Sequence, residues 1–316
     1  MGAEPGVLFV GRVIGGMSSA SMSVASAYAS DVSTPENRAK SFGKVGAAFG
    51  LGFICGPMLG GLLGSVSLHL PFYVAAILCA LNLLYGYFAV PESLPAGARS
   101  PFTLAKANPF TALAKLVRRL EIRPLVLIFT LMTFAQMMLQ STWVLYTTFR
   151  FNWTPRDNGI ALFCVGLTAV VVQAGLLGTM VKRWGETRVA LIGLISGFII
   201  FILYGLATQG WMMYVLILAN MLAFATGPAL QGIISKFANA SEQGELMGSL
   251  SSIASLGGVF MPLLGTSILG AVSTLPAQDW RVGSTFFLCA AMQLLAIVGA
   301  QRYFARHRVP AAPGAV

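Results

Sequence analysis

The chain has 316 residues, 56% of them hydrophobic and only 9% charged, with a formal net charge of +10. A soluble domain carries about 25% charged residues, so this composition, with a mean hydropathy of +0.78, excludes a soluble globular domain and predicts an all-α polytopic membrane protein whose first partner is the lipid bilayer. The basic excess reads as loop orientation and not as a nucleic-acid surface. No cleavable signal peptide is visible: Met1 to Pro5 has no basic segment, and the apolar run behind it contains Arg12.

Nine apolar runs reach the roughly 20 residues that a spanning helix needs. They lie near 6–30, 42–64, 72–90, 124–149, 158–181, 189–208, 211–235, 247–272 and 283–303. The first holds Arg12, the one charge placed well inside a span and not at its edge, at an insertion cost of about 2.5–3.5 kcal/mol. Arg12 is therefore a functional candidate, or a side chain that snorkels to the nearby outer interface. The second run is rich in glycine, yet a segment in lipid must satisfy its own backbone and stays helical. Gly52, Gly56, Gly60 and Gly64 recur every four residues around Pro57, a smooth stripe on which another helix can lie backbone to backbone.

The third run ends in the longest loop, Pro91 to Arg123. Asn108 suits a helix cap and Pro109 a first turn. Phe110, Leu113, Val117 and Leu120 share one face, with Lys115, Arg118 and Arg119 opposite. The segment reads as an interfacial helix or as a solvated basic linker. Beyond it, Gln136, Gln140 and Trp143 share a helix face at i, i+4 and i+7, as do Asn220, Gly227 and Gln231, while Gln173 is alone in its span. Buried amides need partners. They glue helices together or line a cavity for a flat, amphipathic ligand, and the cavity reading is favoured for the Gln136–Trp143 face. Cys55, Cys79, Cys164 and Cys289 sit in apolar runs without metal or disulfide spacing, so no metal or cofactor is expected.

Sixteen of the 20 basic residues fall in alternate loops, from Arg38, Lys40 and Lys44 through 99–123, 182–188 and Lys236 to Arg302, Arg306 and Arg308, whereas the opposite loops hold Arg150, Arg156 and Arg281. The richer side is cytoplasmic by the positive-inside rule, which places the C-terminus inside. The expected organisation is residues 1–90 as three spans, 91–123 as a cytoplasmic basic loop, 124–305 as a six-helix bundle and 306–316 as a tail.

A shift of 205 residues superposes Gly43 on Gly248, Leu51 on Leu256, Gly52 on Gly257, Pro57 on Pro262, Leu59 on Leu264 and Gly60 on Gly265. The second span thus resembles the eighth, six spans later. A six-span parallel repeat built from triplets is the plan of major facilitator transporters. On that plan the basic loop divides three spans from six where six and six are expected, a partial fold lacking the first three helices.

The motifs carry the resemblance further. Gly52-x-x-x-Gly56-Pro57-x-x-Gly60-Gly61 resembles the fifth-helix motif of the drug-proton antiporters of that superfamily, and Gly11-Arg12-Val13-Ile14-Gly15-Gly16 resembles the fourth-helix motif. Gly178, Lys182, Arg183, Gly185 and Arg188 follow the second-half copy of the loop motif, with Lys182 where aspartate is common. Across Arg12 to about Arg302 the chain is most similar to the TetA-type tetracycline exporters, on stretches that include Phe151-Asn152-Trp153, Ala207 to Trp211 and Gly227 to Gln231. The resemblance implies an inner-membrane antiporter exporting a drug against protons, with Arg12 in coupling. The family's ninth helix carries an acidic residue, and the matching position here is Gly197.

Two other transport readings remain: a sugar or metabolite permease of the same fold, against which the Gly52–Gly61 motif argues, and a non-transporting fragment. A membrane-embedded enzyme is opposed by the placement of every acidic residue and both histidines, His69 and His307, outside the predicted spans. The same placement predicts that the chain alone does not perform proton-coupled export, because arginine cannot release a proton.

Overall fold

The computed structural model describes residues 5–17, 25, 28, 38–92, 122–237 and 243–306. It divides into two compact units, residues 1–55 with 72–102, and residues 56–71 with 103–316. The first unit contains α1 (Pro5–Met17), the start of α2 (Arg38–Val66) and most of α3 (Leu70–Ala89). No residue of α3 is buried, and Tyr73, Leu83, Tyr87 and Phe88 are each more than half exposed, as suits a helix whose solvent is hydrocarbon.

The second unit takes in the end of α2 and a bundle of α4 (Arg123–Phe151), α5 (Pro155–Val170), α6 (Leu177–Trp184), α7 (Glu186–Leu206), α8 (Gly210–Ala219), α9 (Thr226–Ser235), α10 (Gln243–Val272) and α11 (Ser284–Arg306). A π-helical stretch, Val171–Leu176, joins α5 to α6 without a break, and a 3-10 stretch, Asn220–Ala225, joins α8 to α9. Six residues is long for a 3-10 segment. Pro228 explains it, because proline has no N–H to give the carbonyl four residues back and crowds it as well. Between α6 and α7 the chain turns at Gly185, whose φ of +78° lies where a side chain would clash.

Packing follows the sequence patterns. α4 lies against α10 and α11, α11 also against α7, and α7 against the 3-10 stretch and α9. The buried core has two parts. One, with Ile122, Leu125, Leu194, Ile233 and Tyr303, sits at the end that carries Lys182, Arg183 and Lys236. The other is aromatic, with Trp143, Tyr146, Trp153, Tyr204 and Phe286.

Among the described residues seven helices are long and apolar enough to cross a membrane: 70–89, 123–151, 155–173, 186–206, 210–234, 248–272 and 280–306. They coincide with the last seven of the nine predicted spans. The first two predicted spans are represented by α1, which is 13 residues long, and by α2, which is 29. The interfacial helix expected before Arg123 and the side chain of Arg12 lie outside the described residues.

One expectation is corrected. Arg150 is not a loop residue: it ends α4 and is 3% exposed, its guanidinium lying over the Tyr146 ring and donating to the Asp279 main-chain carbonyl at 3.1 Å. Among the described residues, the α2 stripe meets a neighbouring segment at Gly64. A Cβ on Gly52, Gly56 or Gly60 would meet nothing among the described residues within 4 Å, whereas one on Gly61 would collide with backbone. The neighbouring segment reaches α2 along Pro57, Gly61 and Gly64, a line that shares Gly64 with the stripe.

Candidate functional site

That neighbour is the first turn of α5. A Cβ on Gly61 would stand 2.6 Å from the Cα of Gly159 and 2.8 Å from the carbonyl oxygen of Pro155, and a Cβ on Gly159 would stand 2.8 Å from the Cα of Gly61. Carbon atoms attract best at about 3.5–4.0 Å, so any side chain at either position would force the crossing apart. The turn that meets Gly61 is held firmly. Thr154 and Asp157 form a reciprocal cap around Pro155, with the Thr154 N–H donating to Asp157 Oδ2 at 2.8 Å and its hydroxyl donating to the same oxygen at 2.6 Å. Asn158 accepts from the Thr147 hydroxyl at 2.8 Å, and the Tyr214 hydroxyl donates to the Asp157 carbonyl at 3.1 Å. These bonds tie the start of α5 to α4 and α8.

Away from that crossing the predicted ligand residues separate into two groups. Gln140, Gln173 and Gln231 are exposed and Gln136 half-buried, although each stands in an apolar helix. Gln173 sits on the π-helical stretch, a kind of irregularity often found where helices carry function. Trp143 does not join them. It is 5% exposed, with its ring edge-on to Tyr204 at 5.4 Å and to Trp153 at 6.2 Å. Such pairs contribute about 0.5–1.5 kcal/mol each beyond the area they bury, so Trp143 serves the aromatic core. Asn220 is half-buried with its Oδ1 wholly buried.

At the opposite end of the bundle, the loop-motif residues Gly178, Lys182, Arg183 and Arg188 are exposed, and Gly185 makes the left-handed turn. Glu186, next along, pairs with Lys236 at 2.7 Å, tying the start of α7 to the end of α9. Sequence reasoning passed over Gly159, Gly193, Thr226 and Gln293. Gln293 was findable as an amide in the middle of the apolar residues of its helix, whose other amide, Gln301, stands near the basic end. The others are ordinary small residues until a neighbour is placed on them.

The comparisons agree with this architecture. The family model described as the Major Facilitator Superfamily matches residues 2–262 and again residues 125–315. The class C tetracycline resistance protein of Escherichia coli is 35% identical over 287 residues, covering 89% of this chain and 71% of that protein. The class B protein of Escherichia coli is 31% identical over 287 residues, with 89% and 70% covered. The quinolone resistance protein NorA of Staphylococcus aureus (strain MRSA252) is 28% identical over 264 residues, with 83% and 66% covered. Among solved structures, the human organic anion transporter MFSD10 superposes with a TM-score of 0.65 at 24% identity, over 93% of this chain and 70% of that one.

Proposed function

The chain belongs to the major facilitator superfamily, a family of multi-pass membrane transporters, and from that premise we propose that it carries a flat, amphipathic drug of the tetracycline kind outward across a bacterial inner membrane. The names of the tetracycline resistance relatives, at 31–35% identity over 89% of the chain, support the substrate class. In this reading residues 1–90 form three spans, 91–123 a cytoplasmic loop and 124–305 six spans, and the C-terminus is cytoplasmic.

The observation that carries the reading is the presence of exposed or half-buried amides on α4, the π-helical stretch and α9, in a unit crossed backbone on backbone at one end. Gln136, Gln140, Gln173 and Gln231 offer hydrogen bonds within apolar helices, the mixture that an amphipathic ligand needs. Gly61 on Gly159 seals the end remote from Lys182 and Arg183, which is the outer end if the basic loops are cytoplasmic. Alternating access then requires this crossing to part, and a contact of bare backbone parts without breaking a hydrogen bond. Protons, the driving ion of the group that the chain resembles, would need an acid or histidine within the membrane. Among the described residues, Asp157 and Glu186 stand only in first turns of spans, so the bundle binds drug without supplying the proton carrier.

Tetracycline binding to the purified full chain, followed by fluorescence, tests the site. Gln140→Ala should weaken binding by roughly tenfold, the worth of one or two hydrogen bonds, and leave the yield of folded protein unchanged. No saturable binding by the unmodified chain, or equal loss of fold and binding in the variant, contradicts the proposal.

A further inference from the structure

α7 carries two buried glycines one turn apart, Gly193 and Gly197. A Cβ on Gly193 would collide with the Thr226 hydroxyl and stand 2.7 Å from the Leu222 carbonyl oxygen. A Cβ on Gly197 would stand 2.6 Å from Nε2 of Gln293 and 3.7 Å from the Ala223 Cβ. Two polar side chains, from α9 and α11, therefore lie directly on the bare backbone of α7. Both are deeply buried, Thr226 at 1% and Gln293 at 4% exposed. Their oxygens, Thr226 Oγ1 and Gln293 Oε1, have no hydrogen-bond partner among the described residues, and neither has the buried Oδ1 of Asn220.

The three groups stand at successive levels of one seam. Residues 193 and 197 are about 6 Å apart along their helix at 1.5 Å per residue. Asn220 precedes Ala223, the neighbour of Gly197, by one 3-10 turn, about 6 Å at 2.0 Å per residue. A residue spacing of about 6 Å is more than one water spans with two hydrogen bonds of about 2.8 Å, and is matched by a file of two waters. We propose that the seam between α7, the 3-10 stretch and α11 is a water-binding site, in which ordered waters bridge Thr226, Gln293 and Asn220.

Charge and chemistry favour water over an ion. Along α7, α8, α9 and α11 the charged residues, Glu186, Arg188, Arg302 and Arg306, stand within the first turn or the last two turns, and Arg302 is nine residues beyond Gln293, so nothing at seam depth balances a bare ion. Water both donates and accepts, and satisfies the amides of Asn220 and Gln293 whichever way they are turned. The 3-10 stretch is consistent with it, since irregular backbone at membrane depth is tolerated where protein or water satisfies it. The site is independent of the substrate proposed above. It gives the bundle a polar seam that holds no titratable group, and it explains two glycines whose role is to let polar side chains lie on a helix.

Water-edited solid-state NMR of the full chain in lipid bilayers, with asparagine, glutamine and threonine labelled, reads the site directly. Magnetisation should pass from water to the side chains of Asn220, Thr226 and Gln293 several-fold faster than to Thr142, which is 0% exposed and donates to the Met138 carbonyl at 2.8 Å. Gln293→Leu, which keeps the bulk and removes the amide, should slow transfer to Asn220 and Thr226 towards the Thr142 rate. If that variant does not fold, Gln293→Glu keeps the oxygens and should retain the transfer. Transfer to the three groups as slow as to Thr142 in the unmodified chain, or unchanged transfer to Asn220 and Thr226 in a folded Gln293→Leu protein, overturns the proposal.

Discussion

α2 and α10 carry the same glycine and proline spacing 205 residues apart, and the structure puts the two copies in different surroundings. In α10, a Cβ on Gly257 would stand 3.0 Å from the Phe134 ring, and one on Gly265 would stand 2.7 Å from Thr142 Cγ2 and 3.1 Å from Met138 Cγ. Those glycines are the floor on which α4 lies. Their counterparts in α2, Gly52 and Gly60, meet nothing among the described residues, and the close approach passes to Gly61, against Gly159. The repeat thus encodes two helices able to be touched closely, and tertiary placement decides which glycines are touched. One copy is built into the interior of its bundle. Among the described residues the other is approached at Gly61 and Gly64, with backbone on backbone at Gly61, the kind of contact that can open.

The comparison can be broken at its crossing first. Gly61→Leu should have the largest effect, abolishing closure of that end and with it transport, while thermal unfolding in detergent shifts less than transport does. Cysteine pairs reporting the distance between the end of α2 and the start of α5 would show the separation. A normal transport rate in a folded Gly61→Leu protein would sink the assignment of this crossing as a gate.

Gly265→Leu comes next. It overpacks the α4–α10 interface and should cost about 1–3 kcal/mol of stability, read as a lowered unfolding temperature. Gly60→Leu, the matching change in the other copy, should stay within about 0.5 kcal/mol, as substitutions into open space usually do. Equal destabilisation by the two would mean that Gly60 has a partner after all, and the contrast between the copies would fail.

The smallest effect belongs to the loop that follows α10. Asp279 accepts from the Arg281 N–H at 2.8 Å and pairs with its guanidinium at 2.7 Å. These hydrogen bonds bring its carboxyl from the ordinary 3.8 down to about 2. A carboxylate held below its unfolded value contributes stability above that value and loses it as pH falls through the folded one. Acid unfolding should therefore carry a small component between pH 3.8 and about 2 that Asp279→Asn removes, and identical acid profiles for the two proteins would contradict it. The effect is modest because the pair is exposed to solvent.

Much of this was legible in the sequence. Apolar runs, alternating basic loops and the 205-residue repeat identify the spans and the family, because lipid permits few solutions for a backbone. Helical spacing also put Gln136 and Gln140 on one face. It could not tell that Trp143, on the same face one turn on, turns in to Trp153 and Tyr204, since the loop after α4 folds back over that side. Nor could it show that Gln293 lies on Gly197, 96 residues away in the chain, or that the backbone of Gly159 lies on Gly61. Periodicity specifies a face to within a residue or so, and packing chooses the residue. Arg150 was missed because a charge beside a predicted boundary reads as loop, whereas a ring and a carbonyl bring it indoors.

The central claim is that the bundle carries an amphipathic drug while the proton carrier lies outside its described helices. Proteoliposomes containing the full chain, loaded with unlabelled tetracycline and given a trace of labelled drug outside, measure it. The account predicts transient accumulation of label by exchange, abolished by Gly61→Leu, and no uphill accumulation when a pH gradient is imposed instead. Absence of exchange, or robust uphill accumulation driven by the pH gradient alone, would contradict it.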